Sequence, residues 1–235
     1  MKLDWFVYRA RNKINRHLGV DYKKSYSQSG EDLIARYIFD CLKIVAPNYL
    51  DIGAHHPTYL NNTHIFYETG SRGINIEPDP TLIDLFKKQR PKDVNLNVGV
   101  AATSGILPFY ILSPRTLNTF SQNDANAVVE EGQRKIRIER VMQIPVFNIN
   151  DLIAVNLDKS PDFFLLDVEG MDFIILQSLD FAKTRPKVIC VETITYSEKH
   201  QGRKVPEIAE WLGKQNYFLY ADTHINSIFV DREVW

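Results

Sequence analysis

The stretch Tyr49-Leu-Asp-Ile-Gly-Ala-His-His-Pro57 decides the fold that this sequence predicts. The residues from Asn48 to Asp51 follow Pro47 and are typical of a buried strand that ends in an acid; Gly53 then breaks the strand into a turn. In an open parallel sheet, ligands bind at the carboxyl ends of the strands, where a glycine lets the backbone approach them closely. The stretch therefore predicts a ligand-binding turn, with an ordinary strand-to-helix turn as the alternative.

Length and composition limit the class of protein. A chain of 235 residues, 44% hydrophobic and 24% charged, fits one soluble α/β domain with appendages. A net charge of -1 gives no general argument for a nucleic acid partner. Cys41 and Cys190 lie far apart, which favours a reducing, cytoplasmic location. We expect no transmembrane segment, since no apolar run reaches the roughly 20 residues that span a bilayer, and no signal peptide.

Residues 1–24 predict an amphipathic helix that precedes the main domain over 25–235. Its apolar residues recur at helical spacing, and they are Leu3, Phe6, Val7, Ala10, Ile14 and Leu18. The basic residues lie largely off this stripe, so a peripheral contact with a membrane surface or an anionic substrate is one interpretation. Packing against its own domain or against a second subunit, as in a homodimer, is the commoner use of such a stripe.

The chain after Gly53 alternates strands and helices. The predicted strands are 73–77, Val94 to Val100, 162–167, 187–192, 217–221 and 227–230. The runs at 162–167 and 187–192 are apolar enough for central parallel strands buried on both faces. The last two strands form a hairpin, so we expect the final strand to be antiparallel in an otherwise parallel sheet.

The section around 105–147 is less regular and predicts an insertion. Leu107 to Leu112 and Val141 to Phe147 are typical of a strand pair, and the polar stretch from Asn123 to Arg140 has a helical bias. We interpret this section as an insertion beside the active-site mouth and as an oligomer contact. A solvated excursion from the domain is the alternative.

Acids mark the carboxyl edge of the predicted sheet. Each of four parallel strands ends in one: Asp51, Glu77, Asp167 and Glu192. Charged groups at the edge of a hydrophobic sheet are costly unless hydrogen bonds, water or a ligand satisfy them. Glu77, after the second strand, is placed to accept hydrogen bonds from ribose hydroxyls. Asp51 could hold the turn or a ligand ammonium group, and Asp167 and Glu192 lie nearer the reacting centre.

The polar stretch Ser25-Tyr-Ser-Gln-Ser-Gly-Glu-Asp32 leads into a helix. Ser27 or Ser29 could cap this helix. The loop is either a solvated segment whose side chains cap the helix or a segment that folds over a cofactor. Gln28 is the residue that tests the second interpretation.

The chain resembles the FkbM family of S-adenosylmethionine-dependent methyltransferases. The motifs that carry the resemblance run in the family's order over roughly 25–195, and they are Tyr26-Ser-Gln-Ser-Gly-Glu-Asp32, Leu50-Asp-Ile-Gly-Ala54 with Asn62-Thr63, Gly73-Ile-Asn-Ile-Glu-Pro78, Asp167-Val-Glu-Gly170 and Val191-Glu192. The resemblance implies a class I methyltransferase (Rossmann-like) fold, with a seven-stranded, mostly parallel sheet and helices on both faces. It also implies S-adenosyl-L-methionine as cofactor and O-methylation of hydroxyls on sugars or sugar-like natural products.

The same resemblance implies the residues that would contact the cofactor. Asp51, Gly53 and Ala54 would line its methionine part, Glu77 would bind its ribose, and the region near Val100 would border its adenine. With Gln28, Pro78 and Asp167 these make up the expected cofactor set. The turn continues as His55-His56-Pro57 instead of offering further glycines, which weakens a phosphate-cradle interpretation. The Gly-x-Gly-x-x-Gly fingerprint is absent, which argues against NAD.

Methyl transfer from a sulfonium needs a base for the acceptor hydroxyl. The candidates are Asp167, Glu169, Glu192, His55, His56 and His200, with Asp167 and Glu169 ranked first. A divalent cation held by Asp167, Glu192 and His200 is a further interpretation that we do not favour. We expect an O-methyltransferase acting on a sugar hydroxyl of a nucleotide sugar or a surface-polysaccharide precursor. A secondary metabolite such as a polyketide is the alternative acceptor, and a non-catalytic scaffold is the alternative function.

Overall fold

The computed structural model describes residues 10, 13–15, 17–19, 23–131, 135–168, 170–195 and 202–235. The helix predicted over 1–24 lies largely outside the described residues, although Ala10, 13–15 and His17 are helical. In the part of the chain that is described, no helix has both the length and the apolar character needed to cross a membrane.

The described elements alternate between strands and helices along most of the chain. The strands are β1 Tyr49–Ile52, β2 Gly73–Ile76, β3 Val94–Leu96, β4 Gly99–Ala101, β5 Gly105–Ser113, β6 Arg137–Asn148, β7 Phe163–Leu166, β8 Val188–Glu192, β9 Tyr217–Asp222 and β10 Asn226–Asp231. The helices are α1 Glu31–Cys41, α2 His64–Glu68, α3 Pro80–Gln89, α4 Gln122–Glu131, α5 Ile149–Asn156, α6 Asp172–Ser178 and α7 Pro206–Lys214, with a 3-10 turn at Arg115–Leu117.

Seven strands form the main sheet in the order β3-β2-β1-β7-β8-β10-β9. Strands β3, β2, β1, β7 and β8 pair in parallel, and β10 is antiparallel to both of its neighbours. This arrangement confirms the predicted class I methyltransferase fold, with its antiparallel final strand.

The apolar strand residues pack on both faces of this sheet. Leu50 and Phe164 belong to the core on one face, which the helices α5, α6 and α7 cover. Tyr49 and Phe163 belong to the core on the other face, which α1 and α2 cover. Burial of both faces explains why the central strands are continuous apolar runs instead of alternating ones.

The prediction of one strand from Val94 to Val100 was wrong. The chain leaves the main sheet after β3 and then forms β4, which pairs with β6 in a second sheet. Between them, the Asn97 side-chain amide donates to the carbonyl oxygens of Glu77 and Pro78 at 2.9 and 2.8 Å. These side-chain hydrogen bonds take the place of the backbone ladder beyond β2, so the strand ends there.

The second sheet has three strands in the order β4-β6-β5. Strands β5 and β6 are a long antiparallel pair that includes both strands predicted in the insertion. The polar stretch at 123–140 is divided: α4 ends at Glu131, and β6 begins at Arg137. Beside this sheet, residues of β5 and α4 form a separate apolar cluster that includes Tyr110, Leu112 and Val128.

Candidate active site

The strand register places one glycine and three acids in a row at the carboxyl edge of the main sheet. Ile52 is level with Ile76 and Leu166, and Leu166 is level with Val191. The next residue in each strand direction extends that row, and these residues are Gly53, Glu77, Asp167 and Glu192. Asp51 instead pairs with Asn75 and Leu165, two residues behind the row. The expectation of four acids in register therefore holds for three of them.

A cavity of about 510 Å³ opens at this edge. Of the expected site residues, seven line it: Gln28, Gly53, His55, Glu77, Pro78, Asp167 and Glu192. Asp51, Ala54 and Val100 are buried elsewhere: Ala54 packs with Ile83 and Phe86, and Val100 lies in the main core. A cavity of this size is in the range of small-molecule and cofactor sites.

Gly53 brings two strand ends into contact. Its φ of 77° lies in the left-handed region, and a Cβ built on it would be 1.7 Å from the carbonyl oxygen of Asp167. The amides of Gly53 and Ala54 both donate to the carbonyl oxygen of Ile76, at 3.0 and 3.1 Å. A side chain at this position would separate β1 from β7, so only glycine fits the turn.

Asp51 supports the turn from behind. Its carboxylate accepts hydrogen bonds from Thr63 Oγ1 at 2.8 Å and Asn61 Nδ2 at 3.4 Å, and the same Asn61 amide reaches the carbonyl oxygen of Ala54 at 3.3 Å. Burial raises the pKa of Asp51, although the nearby Arg90 guanidinium opposes the rise. Of the roles considered for Asp51, the geometry favours holding the backbone of the turn.

Glu77 is the acid at the end of β2. The residue is 4% exposed, and its two carboxylate oxygens accept the backbone N–H groups of His55 and Asp79, each at 2.8 Å. Burial raises the pKa of Glu77 to about 8, and the carboxylates of Asp79 and Asp51 also act to raise it. The two backbone donors fix the orientation of the carboxyl group, and its remaining lone pairs can accept ligand hydroxyls.

Asp167 follows β7 and opens onto the cavity. The residue is exposed on the cavity side. The surrounding protein nevertheless desolvates its carboxyl group and, with the negative charges of Asp172, Asp51 and Glu31, raises the pKa of Asp167 to about 7. The described residues give its carboxylate no hydrogen bond. A carboxyl group with these properties can take up a proton near neutral pH.

The two histidines of the turn have different environments. His55 lines the cavity next to Glu77, and its Nδ1 atom is buried without a hydrogen-bond partner among the described residues. Burial lowers the pKa of His55, so its ring is neutral at pH 7. His56 Nδ1 accepts the backbone N–H groups of Thr58 and Tyr59 at 3.2 and 3.0 Å. The Nδ1 atom of His56 thus helps to hold the turn.

The polar loop at 25–32 is held by its two acids. Asp32 accepts hydrogen bonds from the Tyr26 amide and the Ser25 hydroxyl, each at 2.7 Å. Glu31 accepts one from Thr223 Oγ1 at 2.7 Å in the β9–β10 turn. Burial would raise the pKa of Glu31, but hydrogen bonds led by that from Thr223 outweigh it and lower the pKa. This attachment holds Gln28 against the cavity.

Several lining residues were missed by the sequence analysis. They come from β5, from the segment after it and from the last hairpin, and they include Phe109, Arg115, Asn118, Phe120, His224 and Asn226. The rings of Phe109 and Phe120 lie 4.7 Å apart. No local pattern marks these positions, because only tertiary contact brings them to the sheet edge; the placement of the insertion beside the site mouth was the available signal.

A second cavity of about 200 Å³ adjoins the first. Asp124 of α4 and Asp172 and Phe173 of α6 line it, and Glu192 lines both cavities. Burial raises the pKa of Asp172 to about 6. Glu192 is therefore the acid at the boundary between the two spaces.

The Methyltransferase FkbM domain family matches residues 51–219, which is more than half of the chain. The chain belongs to this family. The FkbM family is one of S-adenosylmethionine-dependent methyltransferases, as the resemblance implied. No curated protein matches the sequence.

Three solved structures resemble this FkbM chain at low identity. The FkbM methyltransferase from Methylobacillus flagellatus KT is 14% identical, with a TM-score of 0.46, over 97% of this chain and 60% of that one. A TehB-like SAM-dependent methyltransferase from Corynebacterium glutamicum is 11% identical, with a TM-score of 0.44, over 99% and 100%. A putative caffeoyl-CoA O-methyltransferase from Staphylococcus aureus is 14% identical, with a TM-score of 0.45, over 97% and 91%. The chain thus spans 60% of the length of the Methylobacillus protein.

Two expected catalytic residues of the FkbM chain, Glu169 and His200, lie outside the described residues and stay predictions. The cation interpretation depended on His200 together with Asp167 and Glu192. Across the described ranges, no group of three or more His, Cys, Asp or Glu side chains could hold a metal ion.

Proposed function

We propose that this FkbM chain is an S-adenosylmethionine-dependent O-methyltransferase that acts on a hydroxyl of a sugar, as part of a nucleotide sugar or of a surface-polysaccharide precursor. The observation that carries the proposal is the cavity at the carboxyl edge of the sheet, which contains Gly53 and Glu77 and meets a second cavity at Glu192.

The residues present fit the cofactor. Gly53 lines the cavity, and without a side chain its backbone is open to a ligand there. Glu77 would accept the ribose hydroxyls, and Phe109 and Phe120 would supply an apolar wall for the adenine. Gln28 and Asp167 would border the methionine part. His55, next to Glu77, is better placed for cofactor contact than for proton transfer at the methyl group.

The second cavity is the proposed acceptor site. Carboxylates only accept hydrogen bonds when ionised, and hydroxyl groups supply the matching donors. Asp124, Asp172 and Glu192 offer such acceptors, while Phe173 and Val128 provide apolar surface for the carbon skeleton of a sugar ring. An acceptor rich in hydroxyl groups fits this mixture.

The chain's own residues would align the acceptor and remove its proton. When bound, S-adenosylmethionine supplies a methyl group whose bond to sulfur breaks as its bond to the acceptor oxygen forms. Asp167 would take the hydroxyl proton, because a base works best when its pKa lies near the working pH. Glu192 would accept a hydrogen bond from the acceptor and orient it. Such positioning can supply roughly 7–11 kcal/mol of barrier reduction in favourable cases.

The apolar part of the second cavity also favours the alternative acceptor, a polyketide or another secondary metabolite. Both acceptors need the same cofactor.

We propose the cytoplasm as the site of the reaction, since Cys41 and Cys190 are free thiols. A homodimer and a peripheral membrane contact through residues 1–24 stay predictions.

The test has two stages. Calorimetry with S-adenosylhomocysteine measures cofactor binding, and a chain that does not bind it is a scaffold instead of an enzyme. Incubation with S-adenosylmethionine and a panel of nucleotide sugars, glycosides and polyketide alcohols, followed by mass spectrometry, then identifies the acceptor. Gain of one methyl group by a sugar supports the proposal; gain by polyketide alcohols alone would replace the sugar acceptor.

A further inference from the structure

Near one end of the three-stranded sheet, side-chain contacts join the chain after β5 to Asp79, which lies two residues after Glu77. Gly105 and Val146 pair at one end of the β5–β6 ribbon, and β6 continues there into α5 of the main core. Ser113 and Arg137 pair at the opposite end. That end has no such direct continuation into the main core, so its position depends on non-covalent contacts.

Arg115, two residues after β5, makes the decisive contact. Its Nη1 atom donates to Oδ2 of Asp79, whose side chain is fully buried, while the Arg115 side chain is 38% exposed and lines the large cavity. Asn118 of the same segment reaches the same oxygen at 3.4 Å. Asn118 is in turn held by the Leu112 amide at 2.8 Å.

Asp79 links the Arg115 contact to Glu77, the proposed ribose-binding acid. Its Oδ1 accepts the Thr81 amide at 2.8 Å and caps α3, and its own backbone N–H donates to Glu77 Oε1 at 2.8 Å. A carboxylate that binds a guanidinium on one side and caps a helix on the other has little freedom to move. The conformation of residues 77–79 and the position of the ribbon end are thus set together.

We propose that Arg115 is a positioning residue, which fixes the end of the β5–β6 ribbon on Asp79 and so builds the wall of the cofactor cavity that contains Phe109 and Phe120. The inference rests on the proposed function, since it concerns the same cofactor cavity. Arg115 acts through Asp79 and Glu77 and takes no part in the transfer itself. Its side chain holds the wall with Phe109 and Phe120 in position before the cofactor binds.

The test compares Arg115→Gln with Arg137→Gln in the full chain. Arg137 is a matched control, because it lies on the same ribbon and contacts Glu139 at 3.2 Å, the carboxylate that Arg115 also reaches at 3.9 Å, but is 72% exposed and does not line the cavity. We expect Arg115→Gln to weaken S-adenosylhomocysteine binding about threefold to thirtyfold, the range for residues that couple two parts of a site. Arg137→Gln should leave the dissociation constant within about twofold of the wild-type value.

Hydrogen exchange separates positioning from a merely structural role. We expect S-adenosylhomocysteine to increase protection of residues 105–120 in the wild type, and Arg115→Gln to lower that protection in the free protein with partial recovery on binding. Arg115→Lys keeps the charge, so its dissociation constant should lie between those of wild type and Arg115→Gln; it also serves if the glutamine variant does not fold. Unchanged affinity in a folded Arg115→Gln protein overturns the inference, whereas failure of the wild type to bind overturns the proposed function and the inference with it.

Discussion

The two sheets of this protein contribute to the site in different ways. The main sheet supplies the row of Gly53, Glu77, Asp167 and Glu192, whose positions follow from strand register alone. Strand β5 and the segment after it supply walls, such as Phe109 and Arg115, whose positions depend on side-chain contacts, chiefly that of Arg115 with the buried Asp79. The apolar framework of the main sheet thus positions the acids of the row, whereas polar contacts position the residues that enclose the cavity.

The difference predicts which substitutions act strongly. A substitution in the row of Gly53, Glu77, Asp167 and Glu192 alters strand packing or the negative charge of the cavity. A substitution of a wall residue, such as Phe109 or Arg115, alters only how well the cavity is enclosed. Substitutions in the two regions therefore test the comparison directly.

Gly53→Ala should have the largest effect. The added Cβ would meet the Asp167 carbonyl oxygen at 1.7 Å in a left-handed conformation, so β1 and β7 would have to separate. We expect a loss of about 4 kcal/mol or more in unfolding free energy, in the range reserved for strain and core disruption, and no measurable S-adenosylhomocysteine binding. Denaturant unfolding and calorimetry check both.

Gly105→Ala is the control from the small sheet. Gly105 lies in β5 and nothing lies within 4 Å of its added Cβ. Its unfolding free energy should stay within about 0.5 kcal/mol of wild type, as for ordinary surface positions. Equal losses in the two variants would contradict the view that the row depends on strand packing and the wall does not.

Asp167→Asn should have the next largest effect, on turnover. The amide cannot take the acceptor proton, so we expect kcat to fall about 10²- to 10⁴-fold, the usual contribution of a general base. The dissociation constant of S-adenosylhomocysteine should change by less than about threefold, because the proposed role of Asp167 as proton acceptor concerns the transfer step. Steady-state kinetics with the acceptor found in the panel, together with calorimetry, separate the two quantities.

Asp158→Asn is the control for Asp167→Asn. Asp158 is exposed and lies near the opposite end of β7, so the same chemical change should leave both constants unaltered. Wild-type kcat in Asp167→Asn would reassign the base to Glu192 or to Glu169.

The fold was largely predictable because its information is local. The apolar runs at 162–167 and 187–192 and the hairpin at 217–230 mark the main sheet by composition and periodicity, and each strand is present. The break between β3 and β4 was not predictable, since residues 94–100 alternate without interruption. The end of the strand depends on Asn97, whose amide finds its acceptors across space at residues 77 and 78.

The residues of the candidate site also divide into those that the sequence could predict and those that it could not. Glu77 was identifiable because it ends a predicted strand, and it does line the cavity. Asp51 shares that signal but lies two residues behind the row, because the chain turns only after Ile52. Arg115 had no signal beyond its place in the predicted insertion, since its partner Asp79 is 36 residues away and the contact exists only in the folded chain.

Glu77→Gln should have an intermediate effect, on cofactor affinity. Ligand hydroxyls donate to the ionised carboxylate, and hydrogen bonds to charged groups are worth about 1.5–3 kcal/mol. We therefore expect the dissociation constant of S-adenosylhomocysteine to rise about tenfold to a hundredfold at pH 8.5. Asp84→Asn, at an exposed position of α3, is the control and should have no effect on it.

The pH dependence gives the same test a second readout. Since the pKa of Glu77 is about 8 in the folded protein and above its unfolded value, the native state holds the extra proton between about pH 4.5 and 8. Its contribution to the unfolding free energy should therefore fall by about 1.4 kcal/mol per pH unit as pH rises through that window. Cofactor binding should strengthen over the same range, because the proposed contact with the ribose needs the ionised form. Glu77→Gln should flatten both dependences between pH 7 and 8.5, and identical slopes in the two proteins would show that another group titrates.

Asp124→Asn should have the smallest effect, on the choice of acceptor. Asp124 is exposed on α4 and lines the second cavity, where its charge would repel a phosphate on the acceptor. Removing an exposed charge changes such an interaction by roughly 0.2–1 kcal/mol, so the ratio of kcat/KM for a sugar phosphate to that for the uncharged glycoside should rise up to about fivefold. Glu130→Gln removes the same charge from an exposed position of the same helix that does not line the cavity, and it should leave the ratio unchanged. A ratio that moves equally in both variants would mean that α4 acts through its overall charge, and a ratio that moves in neither would place the acceptor outside the second cavity.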